Sequence, residues 1–115
     1  MKQLIKFNPK SEGEKALLIR CRNAIKDIDP SVEVILYGSR ARDDAEPESD
    51  YDLLILTDGQ VTLKREDDFR RQLFPIELET GAVLTVIMTN KKDWNSSLYD
   101  AIPLYQNIKR EGIVL

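Results

Sequence analysis

Residues 32–56 read VEVILYGSRARDDAEPESDYDLLIL, and this stretch decides the fold. It starts with a β-branched run at 32–37 and ends with an apolar run at 53–56, so it predicts two strands. The second run does not alternate, which is typical of a strand covered on both faces in the middle of a sheet. Between the strands, residues 40–42 predict a helical turn and the polar residues 43–49 predict a loop.

A helix is predicted upstream of this stretch, over residues 11–28. Its apolar residues recur at steps of three and four, as on one face of an amphipathic helix, and they are Leu18, Cys21, Ile25 and Ile28. Ser11 and Glu14 have the spacing of a capping box at its start. Pro30 follows directly and predicts its end.

Downstream, Asp58-Gly59 predicts a turn, and helical spacing returns over residues 64–80. This helix would bury Phe69, Leu73 and Ile76, would be kinked or broken near Pro75, and would stop at Gly81. Residues 83–88 predict a third strand.

The last part of the chain predicts helices again. Asn90 could cap a helix running through Trp94 and Leu98, and residues 103–110 predict a final helix ended by Gly112. Residues 113–115 would form a short tail or an edge strand. No repeat or linker marks a boundary, so we expect residues 1–115 to be a single domain of α/β (α+β) class, a small mixed sheet packed by helices.

The composition excludes several kinds of chemistry. The 115 residues include no histidine and one cysteine, Cys21, which removes histidine-based acid–base catalysis, internal disulfides and cysteine zinc clusters. The apolar stripe predicts that Cys21 is a core residue. The net charge of −3 does not suit a general nucleic-acid binder, and no apolar run is long enough for a membrane span. We therefore expect a cytoplasmic protein.

The candidate site combines Gly38-Ser39, at the end of the first strand, with Asp50 and Asp52. Alternation along a strand would place both aspartates on the same face, where two carboxylates repel each other unless a cation lies between them. A small set of hard oxygen ligands suits Mg²⁺, which also binds substrate phosphates. Gly38 would allow close approach of a ligand, and the Ser39 hydroxyl with the amides of the turn could hold a phosphate.

Other roles are open for these residues. Arg40 and Arg42 could add positive charge at a polyphosphate or could be ordinary surface charges. Ser39 could be a helix cap as well as a phosphate ligand. Asp50 and Asp52 alone could be a solvated strand start, but their spacing from Gly38-Ser39 favours a site for Mg²⁺ and a nucleoside triphosphate.

The segments 38–42 (GSRAR) and 49–55 (SDYDLLI) resemble the signature of the minimal nucleotidyltransferases of the DNA polymerase beta superfamily. The resemblance implies a nucleotidyltransferase-like fold, with Asp50 and Asp52 as catalytic ligands of Mg²⁺ and Gly38 and Ser39 holding the triphosphate. The implied reaction moves a nucleoside monophosphate, most often AMP from ATP, to a hydroxyl and releases pyrophosphate. Bacterial members often pair with a helical HEPN protein as toxin and antitoxin, and the transferase then adenylylates its partner.

The chain departs from the family pattern at a third carboxylate, which relatives usually carry on the next core strand. Here that strand, 83–88, has no acid, and Glu77 and Glu79 fall on the preceding helix. Asp43 also stands where glycine is common, although aspartate tolerates a left-handed backbone better than most residues. General-base help is typically worth about 10²–10⁴-fold in rate, so nucleotide binding is better supported than efficient transfer.

Three functions therefore stay open. The first is a Mg²⁺-dependent nucleotidyltransferase acting on a HEPN-type partner, and the second is a degenerate nucleotide-binding antitoxin module that masks a partner. The third is the transfer half of a two-component enzyme that modifies small molecules. The sequence does not determine the oligomeric state and allows a homo-oligomer.

Overall fold

A computed structural model describes residues 1–3 and 12–115 of the chain. Six helices and five strands occur in these residues, in chain order β1 Lys2–Gln3, α1 Glu12–Ile28, β2 Glu33–Tyr37, α2 Ser39–Arg42, β3 Tyr51–Thr57, α3 Leu63–Thr80, β4 Leu84–Asn90, α4 Lys91–Trp94, α5 Ser97–Asp100, α6 Pro103–Glu111 and β5 Ile113–Val114. The predicted capping serine, Ser11, lies outside the described residues.

The strands form one mixed sheet in the order β1-β5-β2-β3-β4. β3 is an interior strand, antiparallel to β2 and parallel to β4, and it is buried on both faces, as the lack of alternation at 53–56 predicts. A right-handed crossover through a helix is the usual way to join two parallel neighbours, and α3 provides the connection between β3 and β4. The mixed α/β class predicted from the sequence is confirmed.

Helices cover the sheet on both faces. The larger core lies under α1 and α3, where Leu18, Cys21, Ile25, Phe69 and Leu73 pack on alternate residues of the strands. The smaller core lies on the other face, where Trp94 and Ile108 from the last helices meet Ile35, Leu54 and Leu56. Because β3 sends side chains into both cores, it is the best-buried strand and a rigid base for residues at its start.

Most of the predicted helix boundaries are confirmed. Gly81 ends α3 in a left-handed conformation (φ 76°), and its amide donates to the Glu77 carbonyl. Asn90 caps α4, with its side chain accepting a hydrogen bond from the Lys92 amide, and Gly112 follows α6. Ile28, by contrast, ends α1 with 40% of its surface exposed, so the apolar stripe is buried only through Ile25.

Two predictions about the elements are wrong, and at Pro75 one of two alternatives is excluded. α3 runs unbroken from Leu63 to Thr80, so the helix is not broken at Pro75, while a kink there stays a prediction. The helix predicted through Trp94 and Leu98 is two short helices, since Ser96 starts a new one by accepting from the Tyr99 amide. The chain end is not an edge strand, because β5 lies between β1 and β2.

No helix in the described part of the chain combines the length and the apolarity that crossing a membrane requires.

Candidate functional site

Gly38 makes the bend between β2 and α2, with φ 75° and ψ −158°. This backbone conformation is essentially restricted to glycine. A Cβ atom at this position would collide with Oδ2 of Asp52 and lie 3.3 Å from its Cγ. The absence of a side chain therefore lets the bend lie directly against the Asp52 carboxylate, which brings together two parts of the predicted site.

The single turn of α2 is closed by the Gly38 carbonyl, which accepts hydrogen bonds from the amides of Ala41 (3.0 Å) and Arg42 (3.1 Å). Its end is left-handed at Asp43 (φ 64°), where the sequence predicts that an aspartate can replace the usual glycine. Ser39 begins the turn, and its carbonyl accepts from the Asp44 amide at 3.1 Å. The predicted helical turn is thus confirmed, with Ser39 at its first position.

Asp52 lies in a row of three residues that crosses the sheet. The strand register places it opposite Tyr37 on β2 and Thr85 on β4. The Thr85 hydroxyl donates a hydrogen bond of 2.5 Å to Oδ1 of Asp52. Residues in register on neighbouring strands project to the same face, so all three lie on the face that is covered by α4, α5 and α6.

The position of Tyr37 in this row changes the pKa of its phenol. Its partial burial first, and then the negative charges of Asp52 and Tyr105, raise its pKa to about 12. The phenol therefore keeps its proton at neutral pH and stays a neutral neighbour of the carboxylate. Sequence reasoning missed Tyr37 because it ends an apolar strand and resembles a core residue.

Thr85 was also missed, although the sequence contained a signal. It is the only polar residue in the strand predicted at residues 83–88. The structure places it beside Asp52, on the strand where the resemblance leads us to expect a third carboxylate. A hydroxyl at this point can donate to Asp52, but it cannot replace the charge of a carboxylate.

Glu77 and Glu79 do not supply the third acid. Oε2 of Glu77 accepts a hydrogen bond from the Leu84 amide at 2.9 Å, and Glu79 forms an ion pair with Arg20 at 2.6 Å. Both carboxylates belong to α3, which covers the opposite face of the sheet from Asp52. In the part of the chain that the structure describes, no group of three or more acidic, cysteine or histidine side chains could hold a metal.

Asp50 comes directly before β3, whose first residue, Tyr51, already donates its amide to the Val83 carbonyl. An extended chain alternates its side chains, so Asp50 is expected on the same side as Asp52. Two carboxylates suit a Mg²⁺ ion that takes its other ligands from water and substrate phosphates, and the donor set fits that ion. Both aspartates stay predicted metal ligands.

Arg40 holds the loop that leads to Asp50. Its guanidinium donates to the carbonyls of Ser49 (2.9 Å) and Pro47 (3.0 Å), lies 3.9 Å from the Glu14 carboxylate, and stacks 4.4 Å from the Tyr51 ring centre. Only 11% of its side chain is exposed. These contacts give Arg40 a structural role, and its predicted contact with a nucleotide stays a prediction.

Arg42 is more exposed and forms ion pairs with Asp44 and Glu111, each at 3.1 Å. Glu111 comes from the end of α6, so this pair ties the short helix to the last helix of the chain. Exposed ion pairs of this kind are weak and can be exchanged for a ligand. The predicted contact of Arg42 with a polyphosphate is therefore compatible with its position and is not tested by it.

The site is thus a glycine bend that lies against an aspartate at the start of an interior strand. A family model described as nucleotidyltransferase domain matches residues 18–109, from α1 into α6. The chain belongs to the nucleotidyltransferase domain family. The match includes Gly38, Ser39, Asp50, Asp52 and Thr85, and it supports nucleotidyl transfer as the general activity of this nucleotidyltransferase domain. No individual curated protein is similar enough to the chain to count as a match.

Proposed function

We propose that this nucleotidyltransferase domain moves a nucleoside monophosphate, AMP from ATP, to a hydroxyl group of a helical HEPN-type partner protein, with Mg²⁺ held by Asp50 and Asp52. The observation that carries the proposal is the contact between Gly38 and the Asp52 carboxylate in a chain of this family. That contact supports the proposal because it brings the bend that would hold the phosphates next to the acid that would hold the metal.

Each residue has a definite task in this proposal. The amides of Ala41 and Arg42 are occupied by the Gly38 carbonyl, so Ser39 offers its hydroxyl and, with Arg40, its amide to the phosphates. Asp50 and Asp52 would hold the metal, which when bound neutralises the polyphosphate and polarises the reacting phosphoryl group. Asp52 is kept in place by the Thr85 hydroxyl and by the Gly38 backbone.

The proposed reaction is a displacement at the α-phosphorus. The acceptor oxygen forms a bond to this phosphorus, the bond to the bridging oxygen of the β-phosphate breaks, and pyrophosphate leaves with the electron pair. The hydroxyl proton passes to water or to a phosphate oxygen, because Thr85 cannot accept it as a carboxylate would. Since general-base help is typically worth about 10²–10⁴-fold, we expect slow transfer.

The test uses ATP labelled at the α-phosphate, Mg²⁺ and the purified candidate partner. Label should appear on the partner with the wild-type chain and vanish with Asp52→Asn, which keeps an oxygen to accept from Thr85. Asp58→Asn is the matched control, because Asp58 is exposed and pairs with Lys91 away from Gly38. Absence of label with every nucleotide and divalent metal would contradict the proposal.

Binding can be tested separately by melting. If the aspartates hold Mg²⁺ together with the triphosphate, ATP and Mg²⁺ should stabilise the chain jointly and neither should do so alone. At 100 times the dissociation constant a ligand adds about 2.7 kcal/mol to the free energy of unfolding. Joint stabilisation that survives in Asp52→Asn would place the nucleotide elsewhere.

The second candidate is a catalytically degenerate module that masks its partner, and the replacement of the third acid by Thr85 favours it. In that case Asp50→Ala and Asp52→Ala would leave inhibition of the partner unchanged. Thr85→Asp separates the two candidates, because a slow transferase that lacks its third acid should gain about 10²-fold in labelling. Thr85→Val is the control of similar shape, and a degenerate module would show no labelling with either variant.

A further inference from the structure

The outer edge of β4 carries outward-facing backbone groups that are covered by charged side chains. In the part of the chain that the structure describes, β4 is the last strand on its side. The Val83 carbonyl accepts from the Tyr51 amide, so the backbone groups of Thr85 and Ile87 face β3 and those of Leu84 and Val86 face outward. An outward row of this kind can pair with a strand from another molecule.

Two charged side chains of α3 cover this row. Glu77 accepts a hydrogen bond from the Leu84 amide at 2.9 Å, and Arg70 donates one to the Val86 carbonyl at 3.3 Å. Arg70 also forms ion pairs with Glu66 at 3.3 Å and Asp67 at 3.5 Å on its own helix. One donor and one acceptor of the edge, two residues apart, are thus covered by an acid and a base.

Apolar side chains line the space between Arg70 and Glu77. A groove of about 310 Å³ between α3 and β4 is lined by Leu73, Phe74 and Leu84, with Arg70 and Glu77 also on its walls. Phe74 is 55% exposed, and Leu78, one helical turn further on, is 69% exposed. Large apolar side chains that cluster on one side of a helix are typical of an interaction surface.

We propose that this edge is the interface of a symmetric homodimer in which β4 pairs antiparallel with β4 of a second copy, about a two-fold axis at Thr85. Such an axis places Leu84 opposite the partner's Val86. The Leu84 amide then donates to the carbonyl of the partner's Val86, and the two sheets become one.

Charge complementarity identifies the occupant as a second copy. The two-fold axis makes the α3 helices of the two copies antiparallel. Glu77 of one copy therefore faces the partner's Arg70, and Arg70 of the first copy faces the partner's Glu77. The acid and the base released from the strand edge can therefore pair with each other across the interface. Phe74 lies between them, so the apolar centre meets itself, as an interface with two-fold symmetry requires.

The first test is the concentration dependence of mass, measured by sedimentation on the full chain. Wild type should dimerise, and Phe74→Asp and Leu78→Asp should each raise the dissociation constant at least about tenfold. Leu98→Asp is the matched control, because Leu98 is 72% exposed on α5 and does not line the groove, and it should dimerise like wild type.

The second test uses the charges and does not depend on folding of one variant. Arg70→Glu and Glu77→Arg should each weaken their own homodimers, because each would meet a like charge across the axis. A mixture of the two variants should form a heterodimer of wild-type strength, because opposite charges return at both ends. The amide of Val86 should also exchange more slowly with solvent as the dimer forms.

Four results would overturn the proposal. A chain that stays monomeric at about 1 mM does not use this edge for itself, and its groove would then belong to an extended segment of another protein. A dimer indifferent to Phe74→Asp and Leu78→Asp forms through another face. A dimer weakened equally by Leu98→Asp, or a charge mixture that fails to associate while both variants melt like wild type, excludes the proposed axis.

Discussion

Gly38 and Gly81 both have positive φ angles, 75° and 76°, but only Gly38 lies against another part of the chain. We expect Gly81→Ala to cost about 1–2 kcal/mol, the price of a left-handed alanine. Gly38→Ala should cost at least about 1 kcal/mol more, because its Cβ displaces the Asp52 carboxylate and its conformation is essentially restricted to glycine. Urea unfolding of both variants measures the difference. Equal losses would mean that Asp52 does not contact the bend.

Tyr37 should make the stability of the folded chain depend on pH in the alkaline range. Burial first, and then the charges of Asp52 and Tyr105, raise its pKa to about 12, above the value of about 10 in an unfolded chain. The folded state then keeps a proton that the unfolded state loses, so its stabilising effect is complete below pH 10 and declines towards pH 12.

Between pH 10 and 12 the free energy of unfolding of the wild type should fall by up to about 1.4 kcal/mol per pH unit, reduced by solvent screening of the half-buried ring. Tyr37→Phe should remove this fall, because the variant has no phenol to titrate. Unfolding by urea at several pH values between 9 and 12 compares the two chains. Parallel profiles for wild type and variant would show that the phenol titrates normally.

At the scale of elements, α3 carries a proline in its interior. Pro75 has no amide to donate and is exposed, yet the helix continues to Thr80 because Leu73 and Ile76 are buried on either side. We expect Pro75→Ala to stabilise the chain by about 1–2 kcal/mol, less than the full propensity difference, because proline also restricts the unfolded state. Thermal and urea unfolding check this. Gln72→Ala, at an exposed site on the same helix, should change stability by less than about 0.5 kcal/mol.

The elements also show why some boundaries could be predicted and others could not. Gly81, Asn90 and Gly112 act through their own backbone or side chain, so their effect is local and readable in the sequence. Pro75 and the break after Trp94 depend on what the neighbouring turns pack against. Local propensity is a weak guide there because tertiary contacts are worth more than the preference of one residue.

At the scale of the whole molecule, Cys21 reports on opening of the main core. Its side chain is fully buried on the inner face of α1, and burial raises the pKa of the thiol to about 12. We expect alkylation by iodoacetamide at pH 8 to be at least about a thousandfold slower in the folded chain than in urea, because reaction requires an unfolded population. Mass spectrometry measures the rate. A matched chain with Leu98→Cys should react at that exposed position within minutes, and equally fast alkylation of Cys21 would indicate a loose core.

The sequence by itself determined the mixed α/β class, the interior position of the strand at residues 53–56 and the association of Gly38 with Asp52, as well as the core position of Cys21. These features follow from apolar periodicity and from residues whose chemistry is local, such as glycine at a bend. The paired carboxylates also set the prediction of Mg²⁺, which depends on residue type more than on packing.

Only the tertiary structure decided that Thr85 and Tyr37 flank Asp52, that Arg40 holds the loop before Asp50, and that Arg70 and Glu77 cover the edge of β4. The partners are between 7 and 33 residues apart in the chain, and they meet only through strand register or helix placement. Register depends on the summed packing of two faces of the sheet, and no single residue encodes it. For that reason Asp50 and Asp52 could be predicted from the sequence, while the residues that contact Asp52 could be identified only from the structure.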